Sequence, residues 1–222
     1  MFVKICGVTS EEDALLAVAM GADAVGFIFA PSSRQMAAGK VRDITPRLPP
    51  EILTVGVFKD ATADQVVQTV HTCGLKAAQL SGRETPEVTQ AVRRRVGLVI
   101  KGMHAGDPAL ARWDEFGADA LMLDSPTPGS GKVFDWSLVD GIPLNRRIIL
   151  AGGLTPENVA DGIDAVRPWG VDVASAGEAA PGRKDPTKVR AFIRAARAAA
   201  PEEEYVDRGG HAPYDWEAET GW

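Results

Sequence analysis

The sequence predicts an α/β protein in which eight parallel strands, each followed by a helix, close into a (βα)8 (TIM) barrel. Three observations favour this fold. A strand-then-helix pattern recurs along residues 1–200, and several strands are nearly continuous apolar runs, as in a parallel sheet covered on both faces. The phrase Gly-Ala-Asp-Ala, which closes a helix and enters a strand, occurs at 21–24 and again at 117–120. The length of 222 residues suits one short barrel.

The pattern places eight strands and eight helices along the chain. Right-handed crossovers between such units favour a closed barrel over an open sheet. The alternative, an open doubly wound sheet, lacks the expected Gly-x-Gly-x-x-Gly after the first strand. The predicted strands are 3–6, 24–29, 54–58, 77–80, 96–102, 120–123, 147–151 and 170–174. The predicted helices are 10–20, 39–48, 62–73, 85–95, 107–116, 135–140, 155–166 and 186–199.

Composition points to a cytoplasmic protein. The chain is 45% hydrophobic, enough for a large core, yet it has no apolar run of membrane-spanning length. The first residues lead into a strand without a secretory signal pattern. Two cysteines, at positions 6 and 73, do not suggest a disulfide framework. We therefore expect a reducing compartment and no membrane partner.

Charge is distributed unevenly along the chain. The net charge is −6, and residues 201–222 contain seven acids and one base, whereas residues 1–200 contain 23 of each. Neither part forms the basic surface that nucleic-acid binding requires, so we expect no nucleic-acid partner. We expect a barrel domain over 1–200 and an acidic, aromatic-containing C-terminal tail over 201–222. The tail should be partly disordered and lie away from an anion-binding mouth.

A thiol and a carboxylate occupy matching positions in the predicted barrel. Cys6 ends the first strand and Asp124 ends the sixth. Barrel enzymes collect their functional groups at the C-terminal ends of strands, so these side chains should face one mouth as an acid/base pair. A free thiol, with a pKa of about 8.5, is mostly protonated at pH 7. We expect helix N-termini to assist Cys6.

Two predicted turns offer backbone N–H groups to a phosphate. Gly152 and Gly153 follow the seventh strand, and Ser175, Ala176 and Gly177 follow the eighth. Turns after these two strands form the usual phosphate site of barrel enzymes. The sequence therefore predicts a phosphorylated small-molecule ligand.

Several other residues have simpler interpretations. Lys4 and Asp172 share inward-facing parity on neighbouring first and eighth strands, which predicts a structural ion pair inside the barrel. Gln79 and Ser81 follow the fourth strand into the mouth. His71 and His104 fall in predicted helical or loop stretches without metal-ligand spacing, so we expect neither a metal nor a cofactor.

In this arrangement the chain resembles the phosphoribosylanthranilate isomerase family of tryptophan biosynthesis. The resemblance is carried by phrases that run in order from residue 3 to residue 185. They are Lys-Ile-Cys-Gly at 4–7, Val-Gly-Phe at 25–27, Pro-Ser-Ser-Arg at 31–34, Val-Gly-Val-Phe at 55–58, Gln-Leu at 79–80, Leu-Asp at 123–124, Gly-Ser-Gly-Lys at 129–132, Phe-Asp-Trp at 134–136, Leu-Ala-Gly-Gly-Leu at 150–154, Pro-Glu-Asn at 156–158, Val-Asp-Val at 171–173, Pro-Gly at 181–182 and Lys-Asp at 184–185.

The resemblance implies an Amadori rearrangement of an N-linked phosphoribosyl arylamine to its 1-deoxyribulose form. It implies that Asp124 protonates the furanose oxygen and that Cys6 removes the C2 proton. Arg34 would bind the anthranilate carboxylate with its planar guanidinium. Gln79, Ser81 and the two phosphate turns would complete the substrate site, and the protein would act as a monomer or homodimer.

The sequence departs from the family at two mouth positions. After Gln-Leu the family usually has His-Gly, whereas this chain has Ser81 and Gly82; its eighth-strand turn, usually Ser-Ser-Gly-Val-Glu, has Ala176 before Gly177. A methyl group at Ala176 would crowd a phosphate unless Gly177 takes over its role. Two alternatives therefore stay open: a paralogue with a different substrate in specialised metabolism, and a noncatalytic barrel that binds a phosphorylated ligand.

Overall fold

The computed structural model describes residues 1–125, 136 and 147–201 of the chain. In these ranges eight parallel strands form a closed barrel in chain order, because β1 pairs with both β2 and β8. This closure confirms the barrel and rules out the open doubly wound sheet. The barrel strands are β1 (Phe2–Cys6), β2 (Ala24–Ile28), β3 (Leu53–Phe58), β4 (Ala77–Leu80), β5 (Leu98–His104), β6 (Ala120–Asp124), β7 (Arg147–Leu150) and β8 (Gly170–Val173).

Helices surround the barrel and begin at side-chain caps that the sequence supplies. Ser10, Thr62, Thr85 and Asp185 each accept a hydrogen bond from a backbone N–H in the first turn of the helix that follows. The α-helices are α1 (Glu11–Ala19), α2 (Ala38–Ile44), α3 (Ala63–Cys73), α4 (Pro86–Arg93), α5 (Val159–Val166) and α6 (Pro186–Ala198). No helix in the described residues is both long and apolar enough to cross a membrane.

Some elements differ from the prediction. Pro108–Phe116 is a 3-10 segment instead of an α-helix, and the backbone leaves helical geometry at Arg112. Helix α2 stops at Ile44 and continues as the 3-10 turn Thr45–Arg47, where Pro46 removes a backbone donor. Helix α5 starts at Val159, four residues later than predicted. The predicted helix 135–140 lies outside the described residues except for Trp136.

Strand β5 is displaced relative to its prediction. It starts two residues later and extends to His104, which the sequence analysis assigned to a helical or loop stretch. The extension has a partner, because β5 pairs with β6 from Ile100↔Ala120 up to His104↔Asp124. His104 therefore ends a barrel strand beside Asp124.

The barrel interior is built in layers. Its lower part is an apolar plug that includes Phe2, Leu53, Leu98 and Ile149, and Trp169 stacks on Phe2 at 4.4 Å between ring centroids. Above the plug, Lys4 and Asp172 lie in register on β1 and β8.

A second, larger apolar cluster fills the space between the strands and the helices. Alternate residues of each strand thus face the two cores. Because the plug closes the lower part of the barrel, access to the interior is from the C-terminal mouth.

A small hairpin that the sequence analysis did not predict follows the eighth strand. The 3-10 turn Ser175–Gly177 leads into β9 (Glu178–Ala180), which pairs antiparallel with β10 (Arg183–Lys184). Gly182 makes the turn with a φ of 81°. The hairpin returns the chain to β1, since Lys184 Nζ donates to the carbonyl oxygen of Cys6 at 2.6 Å.

Candidate active site

Cys6 lies at the inward-facing end of β1 and is buried, with 6% of its surface exposed. Its sulfur is packed against β2 at Gly26, where an added Cβ would lie 2.9 Å from Sγ and 3.2 Å from Lys4 Nζ. Glycine at position 26 thus gives both the thiol and the lysine their room. Lys4, on the same strand, is a cation whose charge acts on the thiol group.

Burial raises the pKa of the Cys6 thiol. The charges of Lys4 and Lys184 act in the opposite direction, whereas the Asp172 carboxylate raises the pKa further. The sequence analysis expected helix N-termini to assist the thiolate, but the structure surrounds the thiol with two buried lysines. The resting group is the thiol, and the cations that would stabilise its thiolate are already in position.

Lys4 is fully buried and forms the predicted ion pair with Asp172, at 2.7 Å between Nζ and Oδ1. Burial would lower the pKa of the Lys4 ammonium, but the charges of Asp172 and Cys6 raise it above its ordinary value. Lys4 is therefore charged at neutral pH. A buried ion of this kind is tolerated only when it keeps its partner. The pair forms the floor of the mouth beneath Cys6.

Asp124 ends β6 and is half-buried at the same mouth. Burial raises the pKa of its carboxyl group, and the Asp172 charge raises it further, while the Ser125 N–H, 2.7 Å from Oδ1, lowers it. Lys4 and His104 also lower it. A carboxyl group with a raised pKa can retain a proton closer to neutral pH, as a general acid requires.

Gly152 fixes the position of Asp124. Its φ is 82°, and an added Cβ would lie 2.3 Å from the Ser125 nitrogen and 2.7 Å from Asp124 Oδ1. The first glycine of the predicted phosphate turn therefore also lets β7 approach the carboxyl group. Gly153 follows with a φ of 72°, and its carbonyl accepts a hydrogen bond from Asn158 Nδ2 at 3.0 Å.

In the predicted phosphate turn after β8, the backbone N–H of Gly177 does not point to the mouth as a free donor. The Gly177 N–H donates to the Ala174 carbonyl, and Gly177 is buried. Ala176 is half-buried and packs against the core between strands and helices. The Gly177 N–H is thus already engaged within the turn, and crowding of a phosphate by the Ala176 methyl group stays a prediction. Donors toward the mouth would come from Ser175 and Ala176.

Arg34 lies across Gly7 and forms a two-pronged ion pair with Glu178. Its Nε and Nη2 atoms donate to the two oxygens of Glu178, each at 2.7 Å. Gly7 is required there, because an added Cβ would lie 2.6 Å from Arg34 Cδ and the φ is +71°. Glu178 thus occupies the edge of the guanidinium that carries Nε. The other edge, formed by Nη1 and the second N–H of Nη2, is left to bind another carboxylate.

Glu178 and Lys184 are functional neighbours that sequence reasoning missed. Lys184 Nζ donates to Glu178 Oε1 at 3.2 Å and to the Ala174 carbonyl at 3.0 Å. Burial would raise the pKa of Glu178, but Arg34 and Lys184 hold it below its ordinary value. The Lys-Asp phrase at 184–185 was visible in the sequence, but its contact with Cys6 depends on a hairpin that carries no periodic signal.

Gln79 and Ser81 enter the mouth from β4. Gln79 is buried, and its Nε2 donates to Ser81 Oγ at 2.9 Å. Gln79 Oε1 is buried without a hydrogen-bond partner among the described residues, so an acceptor is available at this point. Ser81 lies against β5, since an added Cβ at Gly102 would be 2.7 Å from its Oγ.

The described residues contain no group of three or more His, Cys, Asp or Glu side chains arranged to hold a metal ion. The arrangement in the mouth is instead a buried thiol, a carboxyl group with a raised pKa, cationic side chains and glycine turns. Such a set can move protons on an anionic ligand.

The fold and this set of groups define a (βα)8-barrel isomerase. A family model described as N-(5'phosphoribosyl)anthranilate (PRA) isomerase matches residues 3–195. The chain belongs to this family, whose reaction is a step of tryptophan biosynthesis. The N-(5'-phosphoribosyl)anthranilate isomerase of Desulforudis audaxviator is 47% identical over 204 residues, which cover 89% of this chain and 98% of that protein.

Solved structures give the same result. The phosphoribosyl anthranilate isomerase of Thermus thermophilus aligns with a TM-score of 0.83 at 42% identity, covering 89% of this chain and 99% of that one. A family structure in complex with reduced 1-(o-carboxyphenylamino)-1-deoxyribulose 5-phosphate aligns at 0.79 and 40% identity, with the same coverage. A structure of monomers generated from the dimeric Thermotoga maritima protein aligns at 0.80 and 38%, again with that coverage.

Proposed function

We propose that Cys6 and Asp124 are the base and the acid with which this isomerase converts N-(5'-phosphoribosyl)anthranilate into 1-(2-carboxyphenylamino)-1-deoxyribulose 5-phosphate. The observation that carries the assignment is the placement of the two groups at the inward ends of β1 and β6. The charges of Lys4 and Asp172 act on the pKa of both groups. Cys6 and Asp124 therefore face the same space. A sugar bound there can be protonated by Asp124 on one side and deprotonated by Cys6 on the other.

Asp124 acts first. Its Oδ1 is held by the Ser125 N–H, so the second carboxyl oxygen carries the proton toward the substrate. That proton passes to the furanose ring oxygen as the bond from this oxygen to C1 breaks. The electron pair of the arylamine nitrogen forms the C1=N bond, which yields an open-chain Schiff base. Asp124 is left as a carboxylate, which the charge of Lys4 stabilises.

Cys6 acts on the Schiff base. After the thiol has released its proton to solvent, the thiolate removes the proton from C2. The electron pair of the C2–H bond moves through C1 to the iminium nitrogen and gives an enolamine. Proton transfer from the C2 hydroxyl and to C1 then gives the ketone. Lys4 and Lys184 favour the thiolate, and the iminium charge adds to their effect during the reaction.

The remaining site residues bind the two anionic ends of the substrate. Backbone N–H groups of Gly152, Gly153, Ser175 and Ala176 would hold the phosphate, and the positive φ of the two glycines is typical of anion-binding turns. The free side of the Arg34 guanidinium would bind the anthranilate carboxylate. Gln79 and Ser81 would offer polar atoms to the substrate between these two ends.

The protein requires neither metal nor cofactor in this mechanism, because every step is a proton transfer. Its substrate is a phosphorylated small molecule, and we propose that it works in the cytoplasm as a monomer or homodimer. We expect no nucleic-acid partner, because the charge of residues 1–200 is balanced.

Turnover of phosphoribosylanthranilate by the purified chain, combined with growth of a tryptophan auxotroph that expresses it, tests the proposal. We expect both turnover and growth. A protein that binds phosphorylated ligands but neither turns over this substrate nor restores growth would favour the noncatalytic barrel. Turnover of another arylamine sugar with no restored growth would favour the diverged paralogue.

A further inference from the structure

His104 is an exposed imidazole at the barrel mouth that the mechanism above does not use as a binding group. On β5, Leu98 and Ile100 belong to the apolar plug, whereas Val99 and Met103 belong to the outer core. Side chains alternate along a strand, so His104 shares the inward parity of Leu98 and Ile100. It is in register with Asp124 on β6. The imidazole therefore stands at the level of the acid, inside the ring of strand ends.

The order of strands around the barrel assigns a side of the mouth to each part of the substrate. The phosphate turns follow β7 and β8, and the acid and base stand on β6 and β1, the strands that flank them. With the phosphate at β7 and β8 and the ribose between acid and base, the aryl ring extends away from β7 and β8. Its carboxylate then points toward Arg34 in the loop after β2, and the opposite edge of the ring points toward β4 and β5. His104 on β5 and Ser81 after β4 stand on that side.

Among the described residues, the His104 side chain is exposed at the mouth. Ser81 lies against Gly102, which occupies the inward position of β5 directly below His104. Both residues are small, so the space above them is filled by neither. No hydrogen bond from a described residue holds the His104 ring, and its electrostatic neighbour is Asp124. Against the described residues the ring is exposed, so a ligand can reach it.

We propose that His104 determines the specificity of this isomerase for an aryl group, by packing its ring against the arylamine end of the substrate from the β5 side. The inference rests on the proposed function. It makes His104 a substrate-binding residue that strengthens binding of the aromatic ring and leaves the proton transfers to Cys6 and Asp124. Imidazole and aryl rings in contact stabilise a complex modestly, and the expected effect is correspondingly modest.

Steady-state kinetics of the His104→Ala and His104→Phe variants test the inference. Because His104 is exposed on the surface of the mouth, both variants should fold. We expect His104→Ala to raise KM for phosphoribosylanthranilate about 3- to 10-fold with kcat within about twofold. His104→Phe keeps a ring and should hold KM within about twofold of the unmodified protein. Inhibition by inorganic phosphate, which lacks an aryl group, should be equal in all three proteins.

His71→Ala is the matched control, because His71 is an exposed histidine on α3, outside the mouth, with Nε2 3.1 Å from the Arg95 carbonyl. It should leave KM and kcat unchanged. An unchanged KM in His104→Ala would overturn the inference, as would a fall in kcat alone or a His104→Phe variant as impaired as His104→Ala. If the unmodified chain fails to turn over this substrate, the proposed function fails instead, so the two failures are distinguishable.

Discussion

The Gly152→Ala substitution should lower activity far more than its cost in stability would explain. Its Cβ would lie 2.3 Å from the Ser125 nitrogen and 2.7 Å from Asp124 Oδ1, both far inside van der Waals contact. Neither neighbour is the flexible end of a long side chain, so the strand end that carries Asp124 must move. A displacement of about 1 Å at a catalytic group can cost about 100-fold in rate. The positive φ adds a backbone cost of about 1–2 kcal/mol.

Gly21→Ala is the control for that backbone cost. Gly21 has a φ of +92° with nothing within 4 Å of an added Cβ, and it lies between α1 and β2, at the end of the barrel opposite the mouth. Turnover assays and thermal unfolding of both variants separate the two effects. We expect both to lose stability, but only Gly152→Ala to lose about 100-fold in kcat/KM. Near-normal turnover by a folded Gly152→Ala protein would refute the reasoning about Asp124 placement.

Three further predictions concern the surroundings of the site. Because the pKa of Glu178 in the folded protein lies below its ordinary value of 4.5, its ion pairs stabilise the fold above that pH and are lost as pH falls through the lower folded value. Acid unfolding of Glu178→Gln should therefore depend less on pH below about 4.5, and an unaltered slope would contradict this. Ala176→Gly should leave the inhibition constant of inorganic phosphate unchanged, since the methyl group packs against the core; tighter binding would show that it crowds the anion after all. Deleting residues 202–222 should change kcat/KM by no more than about twofold, because an acidic tail is repelled from an anion-binding mouth; a large loss would identify the tail as a lid.

The strands were the most predictable part of the fold. Buried parallel strands are continuous apolar runs, and the eight runs in the sequence correspond to the eight barrel strands. Segments with weak periodicity were less predictable. The stretch Pro108–Phe116 buries Leu110, Trp113 and Phe116, spaced by three residues, and forms a 3-10 segment. The β9–β10 hairpin is too short to show any pattern.

The candidate site was predictable where a residue type and a strand end coincide, as for Cys6 and Asp124. The Lys4–Asp172 pair followed from parity on adjacent strands. Contacts between loops that are distant in the sequence could not be predicted. The Arg34–Glu178 pair, for example, joins residues 144 positions apart. The position of His104 was missed because β5 continues for two residues beyond its predicted end. Strand propensity does not specify where the pairing with β6 stops.

Rate measurements on Cys6→Ser and Asp124→Asn test the central claim most directly. Each variant keeps the shape of its side chain but removes the base or the acid, so the expected loss in kcat is about 100-fold or more for each. Inhibition by inorganic phosphate should be unchanged, which would show that the mouth is intact. Turnover near that of the unmodified protein in either variant would contradict the assignment of the acid/base pair.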